Sequence, residues 1–258
     1  MIFIDSHSHI FDKDFDSDRS EVIKHAAEVG VKYHILPNID STYSDRVLQT
    51  ARDYKGVCFP LIGLHPTSVN ETYASELAHV ENMLQKEKYY GIGEIGIDLY
   101  WDKTFVEQQK IAFRHQLKLA KENGLPVVIH SRNSFDEIFE IVDQENDSLL
   151  RGVFHAFTGT FEQYQKIIKY GGFKVGIGGI VTYKNGGVDK VVAKMNLSDI
   201  LLETDSPYLT PVPKRGQRNE SQNIILVAQK ISEILNLPLD EVAKTTTKNS
   251  LELFNINA

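Results

Sequence analysis

The chain's strongest constraint on fold is a recurrence. Eight short apolar runs alternate with longer amphipathic stretches: IFIDSH (2–7), KYHILPN (32–38), CFPLIGLH (58–65), YYGIGEIG (89–96), PVVIH (126–130), GVFHAF (152–157), FKVGIGG (173–179) and ILLETD (200–205). Each is of strand length. Several are continuously apolar, which suits strands buried on both faces of a parallel sheet. The stretches between them read as helices. Over 105–123, Val106, Phe113, Leu117 and Ala120 form an apolar stripe at helical spacing. Thr104 with Glu107 has the form of a capping box at its start, Gly124 supplies a stop, and Pro126 cannot continue a helix. Ser134 with Glu137 and Thr160 with Gln163 repeat the capping signature. Eight strands with helices between most of them predict an α/β fold, a single (β/α)8 TIM barrel over 1–258, close to the length of about 250 residues usual for that fold. An open doubly wound sheet is the alternative, weakened because no G-x-G-x-x-G turn follows the first run.

Charge and cysteine content narrow the functional classes. A formal net charge of -7 argues against a protein held on nucleic acid by bulk electrostatics, though not against a local grip on a few phosphates. Cys58 is the only cysteine, so neither a disulfide framework nor a cysteine zinc site is expected. That suits a reducing, cytoplasmic setting. No signal peptide is expected at the N-terminus, and no apolar run approaches the roughly 20 residues that span a bilayer. No coiled-coil or anchor signature calls for an obligate protein partner, so the expectation is a monomer away from membranes.

The chemistry-bearing residues gather where strands end. His7 and His9 follow the first run, His65 ends the third, Glu94 lies near the end of the fourth, and His130 ends the fifth. His155 lies near the end of the sixth and Asp205 ends the eighth. In a parallel barrel these ends share one face, where active sites are built. Singly, each has an ordinary structural reading, as a hydrogen-bonded histidine or a turn-capping carboxylate. His25, His34, His79 and His115, inside predicted helices or a strand, are expected in such roles. Jointly, residues so far apart in sequence are poorly explained by independent structural needs. Imidazoles with carboxylates suit zinc, manganese, iron or nickel better than calcium. His7, His9, His130 and His155 with Glu94 and Asp205 exceed the needs of one tetrahedral ion. They suit two ions sharing a carboxylate, with Glu94 as the natural bridge. Such a pair clamps the oxygens of a phosphate ester or activates a water.

The set DSHSH, GLHP, GEIGID, VVIHSR, FHAFTG and LLETDSPYLTPVPKRGQRNE resembles the TatD family of metal-dependent deoxyribonucleases, amidohydrolase-like hydrolases, in the right order from Asp5 to Glu220. The resemblance implies a TIM barrel with two divalent ions, commonly magnesium, manganese or zinc. It puts His7, His9, Glu94 and Asp205 at one ion and Glu94, His130 and His155 at the other. It makes Asp205 the group that orients the attacking water or acts as its base. His65 becomes a pocket histidine that contacts phosphate or moves a proton. It also implies 3′–5′ exonuclease action on single-stranded DNA. Departures from the family pattern fall at Leu99, where an aromatic is common, Asn133 (Asp), Ala156 (Cys) and Ser221 (Pro). None is an expected ligand, so they bear on substrate preference rather than on hydrolysis.

Basic and aromatic residues add a substrate surface. Arg132 follows His130 closely, and Lys214, Arg215 and Arg218 lie in the loop after Asp205. Singly these are solvated loop charges; together at the mouth, Arg132 and Arg215 foremost, they can bind phosphates beside the scissile one. Tyr100 and Trp101 can stack unpaired bases, a contact of about 1–3 kcal/mol per base, or pack as a lid. Two other functions stay open at this point. One is a metal-dependent hydrolase of esters or amides, such as a deacylase or cyclic amidase. The other is a binding module that kept the barrel without turnover.

Overall fold

The structure is a computed structural model that describes residues 1–257. Strands and helices alternate along the chain: β1 (Phe3–Asp5), α1 (Arg19–Glu28), β2 (Val31–Leu36), α2 (Ser41–Asp53), β3 (Cys58–Pro60), α3 (Tyr73–Lys86), β4 (Ile92–Asp98), α4 (Val106–Asn123), β5 (Val127–Arg132), α5 (Phe135–Glu145), β6 (Gly152–Phe154), α6 (Phe161–Lys169), β7 (Phe173–Ile177), α7 (Val188–Val192), β8 (Ile200–Leu202), α8 (Ile224–Leu235) and α9 (Leu239–Phe254). All eight apolar runs carry a strand. The strands pair in parallel as two ladders, β1-β2-β3 and β4-β5-β6-β7-β8.

Backbone hydrogen bonds beyond the regular strands join the ladders into a barrel. Past β3, the N–H of Ile62 donates to Gly91 O (3.3 Å), and that of Gly93 donates to Ile62 O (2.9 Å). At the other seam, Ser6 N–H donates to Leu202 O (3.0 Å) and Asp205 N–H to His7 O (2.9 Å). The predicted (β/α)8 architecture is present, and the doubly wound alternative is not.

The barrel interior is filled by Ile4, Ile35, Phe59, Leu61, Val128, Val153 and Leu201. A larger apolar layer lies between strands and helices, with Ile95, Ile97 and Ile129 against Phe113, Leu117 and Ala120 of α4. Burying side chains of this size stabilises by about 1.5–3 kcal/mol each. The buried face of α4 also carries Gln109 and Gln116. Gln109 Oε1 accepts from the N–H of Asp98, and Gln116 Oε1 accepts from that of Leu64. These amides satisfy backbone groups where strands run out, which would otherwise be costly to bury.

Of the three expected capping boxes, one forms. Thr160 Oγ1 accepts from Gln163 N–H, and Gln163 Oε1 accepts from Thr160 N–H. Thr104 does not cap α4: its N–H and hydroxyl both go to Asp102, and Phe105 takes the N-cap position. Ser134 is at the N-cap of α5, but its hydroxyl donates to Ile97 O (2.5 Å), tying the helix start to β4. Among the described residues no helix is long and apolar enough to cross a membrane.

Candidate metal centre at the barrel mouth

The carboxyl ends of the strands bring the expected residues together around Glu94. Three of the positions differ from expectation. Glu94 and His130 sit inside their strands, because β4 runs on to Asp98 and β5 to Arg132, and His65 lies past β3 at the N-cap of a short 3-10 turn, Pro66–Ser68. His7, His9, His155 and Asp205 lie in irregular backbone just beyond their strands.

Glu94 is buried, and its two oxygens face different groups. Oε2 lies 3.1 Å from His7 Nε2 and 3.8 Å from His9 Nε2. Oε1 lies 2.9 Å from His130 Nδ1, 2.7 Å from His155 Nε2 and 3.2 Å from His65 Nε2. Asp205 Oδ1 closes the first group, 3.5 Å from His7 Nε2 and 3.3 Å from His9 Nε2. Inside that group, His7 Nε2 and His9 Nε2 face each other at 3.2 Å. In the second, His155 Nε2 and His130 Nδ1 are 3.4 Å apart. A pair of imidazole nitrogens can share at most one proton, whereas both lone pairs can point at one cation. The Nδ1 atoms of His7, His9 and His155 are buried and unpartnered among the described residues. This donor set fits divalent cations, one on each side of the carboxylate.

The charges agree with that. Burial pushes the Glu94 carboxyl up, but His155, His65 and His7 around it outweigh burial and hold it well below the carboxylate range. Asp205 is likewise lowered against its burial, by His9 and His7. Burial lowers His7, against the pull of Glu94 and Asp205. Burial also acts to lower His155 and His130, yet Glu94 raises the first well above its usual value, and Asp98 with Glu94 raises the second. The carboxylates thus draw positive charge into the site.

His65 differs from the others. The N–H of Thr67 donates to its Nδ1 (3.1 Å), so in the neutral ring, which burial favours, the proton sits on Nε2, facing Glu94. That nitrogen is a donor and has no lone pair for a metal.

Local sequence explains how these side chains fit. In β4, Glu94, Gly96 and Asp98 point the same way, and Gly96 pairs with His130 of β5. The glycine lets the backbone of His130 approach closely, and the His130 ring is held by Glu94 at Nδ1 and by Asp98 Oδ2 at Nε2 (2.8 Å). A Cβ on Gly176 would lie 2.0 Å from Glu203 Oε2, so that glycine makes room for a second buried carboxylate. Glu203 Oε1 lies 3.7 Å from His155 Nδ1. Asp98 and Glu203 were not singled out from sequence. The available signal was period 2: each lies an even number of residues from a chosen carboxylate, Glu94 or Asp205.

The cavity above has a volume of about 600 Å³ and is lined by His9, His65, Glu94, Trp101, His130, Arg132, His155, Asp205 and Tyr208, among others. Arg132 lies over the Tyr100 ring (3.8 Å) and near that of Trp101 (5.2 Å). Trp101 is 69% exposed and Tyr100 53%, so neither is packed down as a lid. The basic loop after Asp205 does not join them. Arg215 lies over Tyr183 and does not line this cavity, and Arg218 is committed to Asp18 and Glu220. His34, His79 and His115 have the structural roles expected of them, bonded to Ser221, Ser44 and Glu81.

Similarity to known proteins extends over nearly the whole chain. A family model described as TatD related DNase matches residues 4–255. An uncharacterized metal-dependent hydrolase of Bacillus subtilis, YabD, is 36% identical over 258 residues and covers 100% of both chains. A 3′-5′ ssDNA/RNA exonuclease, TatD of Erwinia amylovora, is 29% identical over 248 residues, covering 94% of this chain and 95% of its own. The crystal structure of YjjV, a TatD homologue from Escherichia coli, superposes with a TM-score of 0.93 at 32% identity, covering 99% of this chain and 98% of its own.

Proposed function

The chain belongs to the TatD-related DNase family of metal-dependent hydrolases, and from that premise we propose that it is a deoxyribonuclease, a phosphodiesterase that removes nucleotides from the 3′ end of single-stranded DNA. The observation that carries the reading is Glu94, whose two oxygens face separate imidazole groups beneath a cavity lined by Arg132 and edged by exposed aromatics. In this reading His7, His9, Glu94 and Asp205 hold one divalent ion, and Glu94, His130 and His155 hold another. Magnesium, manganese or zinc bound there would polarise a phosphoryl oxygen and lower the pKa of a nearby water.

The chain's own groups do the rest. Asp205, the most accessible carboxylate of the cluster, with its side chain 14% exposed, orients the attacking water and accepts its proton at a carboxylate oxygen. His65 donates from Nε2 to a non-bridging phosphate oxygen. Arg132 binds the neighbouring phosphate through its guanidinium. Tyr100 and Trp101 offer exposed ring faces to unpaired bases. A cavity of about 600 Å³ suits a flexible chain end better than an intact duplex. The name of the Erwinia relative supports the polarity and the single-stranded substrate.

The test is release of nucleotide from a 3′-labelled single-stranded DNA with manganese or magnesium, comparing wild type, wild type with EDTA, and Asp205→Asn. Release lost in both controls is expected. No release under either metal, or equal release by the variant, sinks the assignment. Esters and amides assayed under the same metal then decide whether the site attacks carbon.

A further inference from the structure

Asp98 stands between the proposed metal site and the aromatic loop, and each oxygen of its buried carboxylate serves one side. Oδ2 accepts from His130 Nε2 at 2.8 Å. Oδ1 accepts from the backbone N–H of Tyr100 (2.9 Å) and of Trp101 (3.2 Å). Its own N–H is held by Gln109 Oε1 at 2.9 Å, which fixes the pivot to α4. The neighbouring ladder is rigid as well: Asp98 pairs with Arg132, and Leu99 N–H donates to Arg132 O (2.9 Å). The guanidinium resting on Tyr100 therefore belongs to the same unit.

We propose that Asp98 is a positioning residue that couples cation binding at His130 to the order of the Tyr100–Trp101 loop. The proposal rests on the reading of His130 as a ligand. With its Nε2 proton given to Asp98, the ring must present the Nδ1 lone pair toward Glu94, the tautomer a metal requires. A carboxylate partner of this kind also raises the basicity of the ligand, and its loss typically costs about 10–100-fold in metal affinity. Cation binding that draws the His130 ring toward Glu94 pulls on Oδ2, and the same rigid carboxylate transmits the shift to the two amides that shape the loop. Reciprocally, a strand stacked on the loop favours the ring position that binds metal, since coupling of this kind acts equally in both directions.

Two substitutions separate the halves. In Asp98→Asn the amide oxygen can still accept from Tyr100 and Trp101, but the NH2 donates to His130 Nε2. That forces the proton onto Nδ1, the wrong tautomer. Asp98→Ala removes both functions. Trp101 is the only tryptophan, so its emission reports the loop without labelling. The experiment titrates zinc, which is spectroscopically silent, into EDTA-stripped full-length protein, with affinity read by calorimetry and Trp101 emission read in parallel; no DNA is present.

Wild type is expected to bind zinc and change its emission on binding. Asp98→Asn should keep the metal-free emission of wild type, bind zinc about 10–100-fold more weakly, and lose most of the emission change even at saturation. Asp98→Ala should already differ in the metal-free state. Thermal unfolding in EDTA identifies a variant that merely misfolds, and Asp98→Asn alone suffices if Asp98→Ala does. Zinc binding equal to wild type in Asp98→Asn overturns the positioning role alone, as does wild-type emission that zinc leaves unchanged. A wild-type chain that takes up no zinc overturns the metal reading and this proposal together.

Discussion

Gly96→Ala is the sharpest test of how the site is built. Gly96 lies in β4 directly opposite His130, with φ +140°. A Cβ at that position would lie 2.1 Å from the carbonyl oxygen of His130, 3.0 Å from its carbonyl carbon and 3.1 Å from its nitrogen. These are backbone atoms of a paired strand and cannot rotate aside as a side chain can. Two costs add. Holding a non-glycine residue at such a φ costs of order 1–3 kcal/mol. Forcing an extra methyl into a filled interior costs about 1–3 kcal/mol more. The sum, roughly 2–6 kcal/mol, is a large part of a typical total of about 5–15 kcal/mol. In a domain of this size each kcal/mol moves Tm by about 2–4 °C, so Tm should fall by at least about 4 °C and by as much as about 24 °C. The assay is thermal unfolding by circular dichroism in EDTA. Gly124→Ala is the control: φ there is +64°, but nothing lies within 4 Å of the new Cβ. It carries backbone strain without overlap and should fall less. A Gly96→Ala protein that melts with wild type, or above Gly124→Ala, refutes the reasoning that the strands close on His130 through this glycine.

Trp101→Ala should raise KM for single-stranded DNA by about 5–150-fold, the equivalent of about 1–3 kcal/mol of stacking, with kcat little changed; steady-state kinetics on the labelled 3′ end reads it, and an unchanged KM shows that the exposed ring does not meet the substrate. Stability should fall on acidification through His34. Burial lowers its pKa from 6.5 to about 4, so the unfolded chain takes up the proton first, and this contribution is complete above pH 6.5 and is lost as pH falls toward 4. The gap corresponds to roughly 3 kcal/mol. Tm of metal-free protein measured across that window should drop less for His34→Gln than for wild type; parallel curves would remove His34 as the cause.

How far the sequence reveals this molecule depends on the range of the interaction in question. The barrel was legible because burial on both faces writes itself into contiguous apolar runs, and all eight runs carry a strand. His7, His9, Glu94, His130, His155 and Asp205 were legible because ionisable residues in or beside such runs need a reason. Local punctuation was less reliable. Ser134 has the right neighbours for a capping box, but its hydroxyl goes to Ile97, a residue of another strand. For Asp98 and Glu203 the local signal, an even spacing from Glu94 and Asp205, is too weak to separate them from turn carboxylates; their meaning comes from His130 and His155, brought close only by the barrel. Arg218 was grouped with the phosphate-binding cations for want of its partner Asp18, which lies 200 positions away in the chain. Contacts between distant segments decide which charges are spent on the fold and which stay available at the cavity.

That distinction bears on how an acidic protein can hold a polyanion at all. Glu94 and Asp98 line the cavity from buried positions, Glu203 lies buried behind His155, Asp205 is nearly buried, and the chain carries a formal net charge of -7. Among the cations considered for phosphate binding, Arg132 lines the cavity, while Arg218 is neutralised by acidic partners. Like unit charges about 4 Å apart repel by roughly 4 kcal/mol at an effective dielectric constant of 20. Any positive charge on His130 and His155 is already held by Glu94 and Asp98, so a phosphate set above Glu94 and Asp205 meets two repulsions of this size against one guanidinium. Divalent ions in the site reverse the local sign, so metal should be required for binding as well as for hydrolysis. The measurement is fluorescence anisotropy of a labelled single strand whose 3′ linkages are phosphorothioates, which slows turnover, with magnesium or with EDTA at matched ionic strength. Affinity should weaken at least tenfold in EDTA, a loss of about 1.4 kcal/mol or more. Equal affinity in the two conditions would mean that Arg132 and the aromatic loop hold the strand clear of the carboxylates, and the electrostatic argument for a metal-gated site would fail.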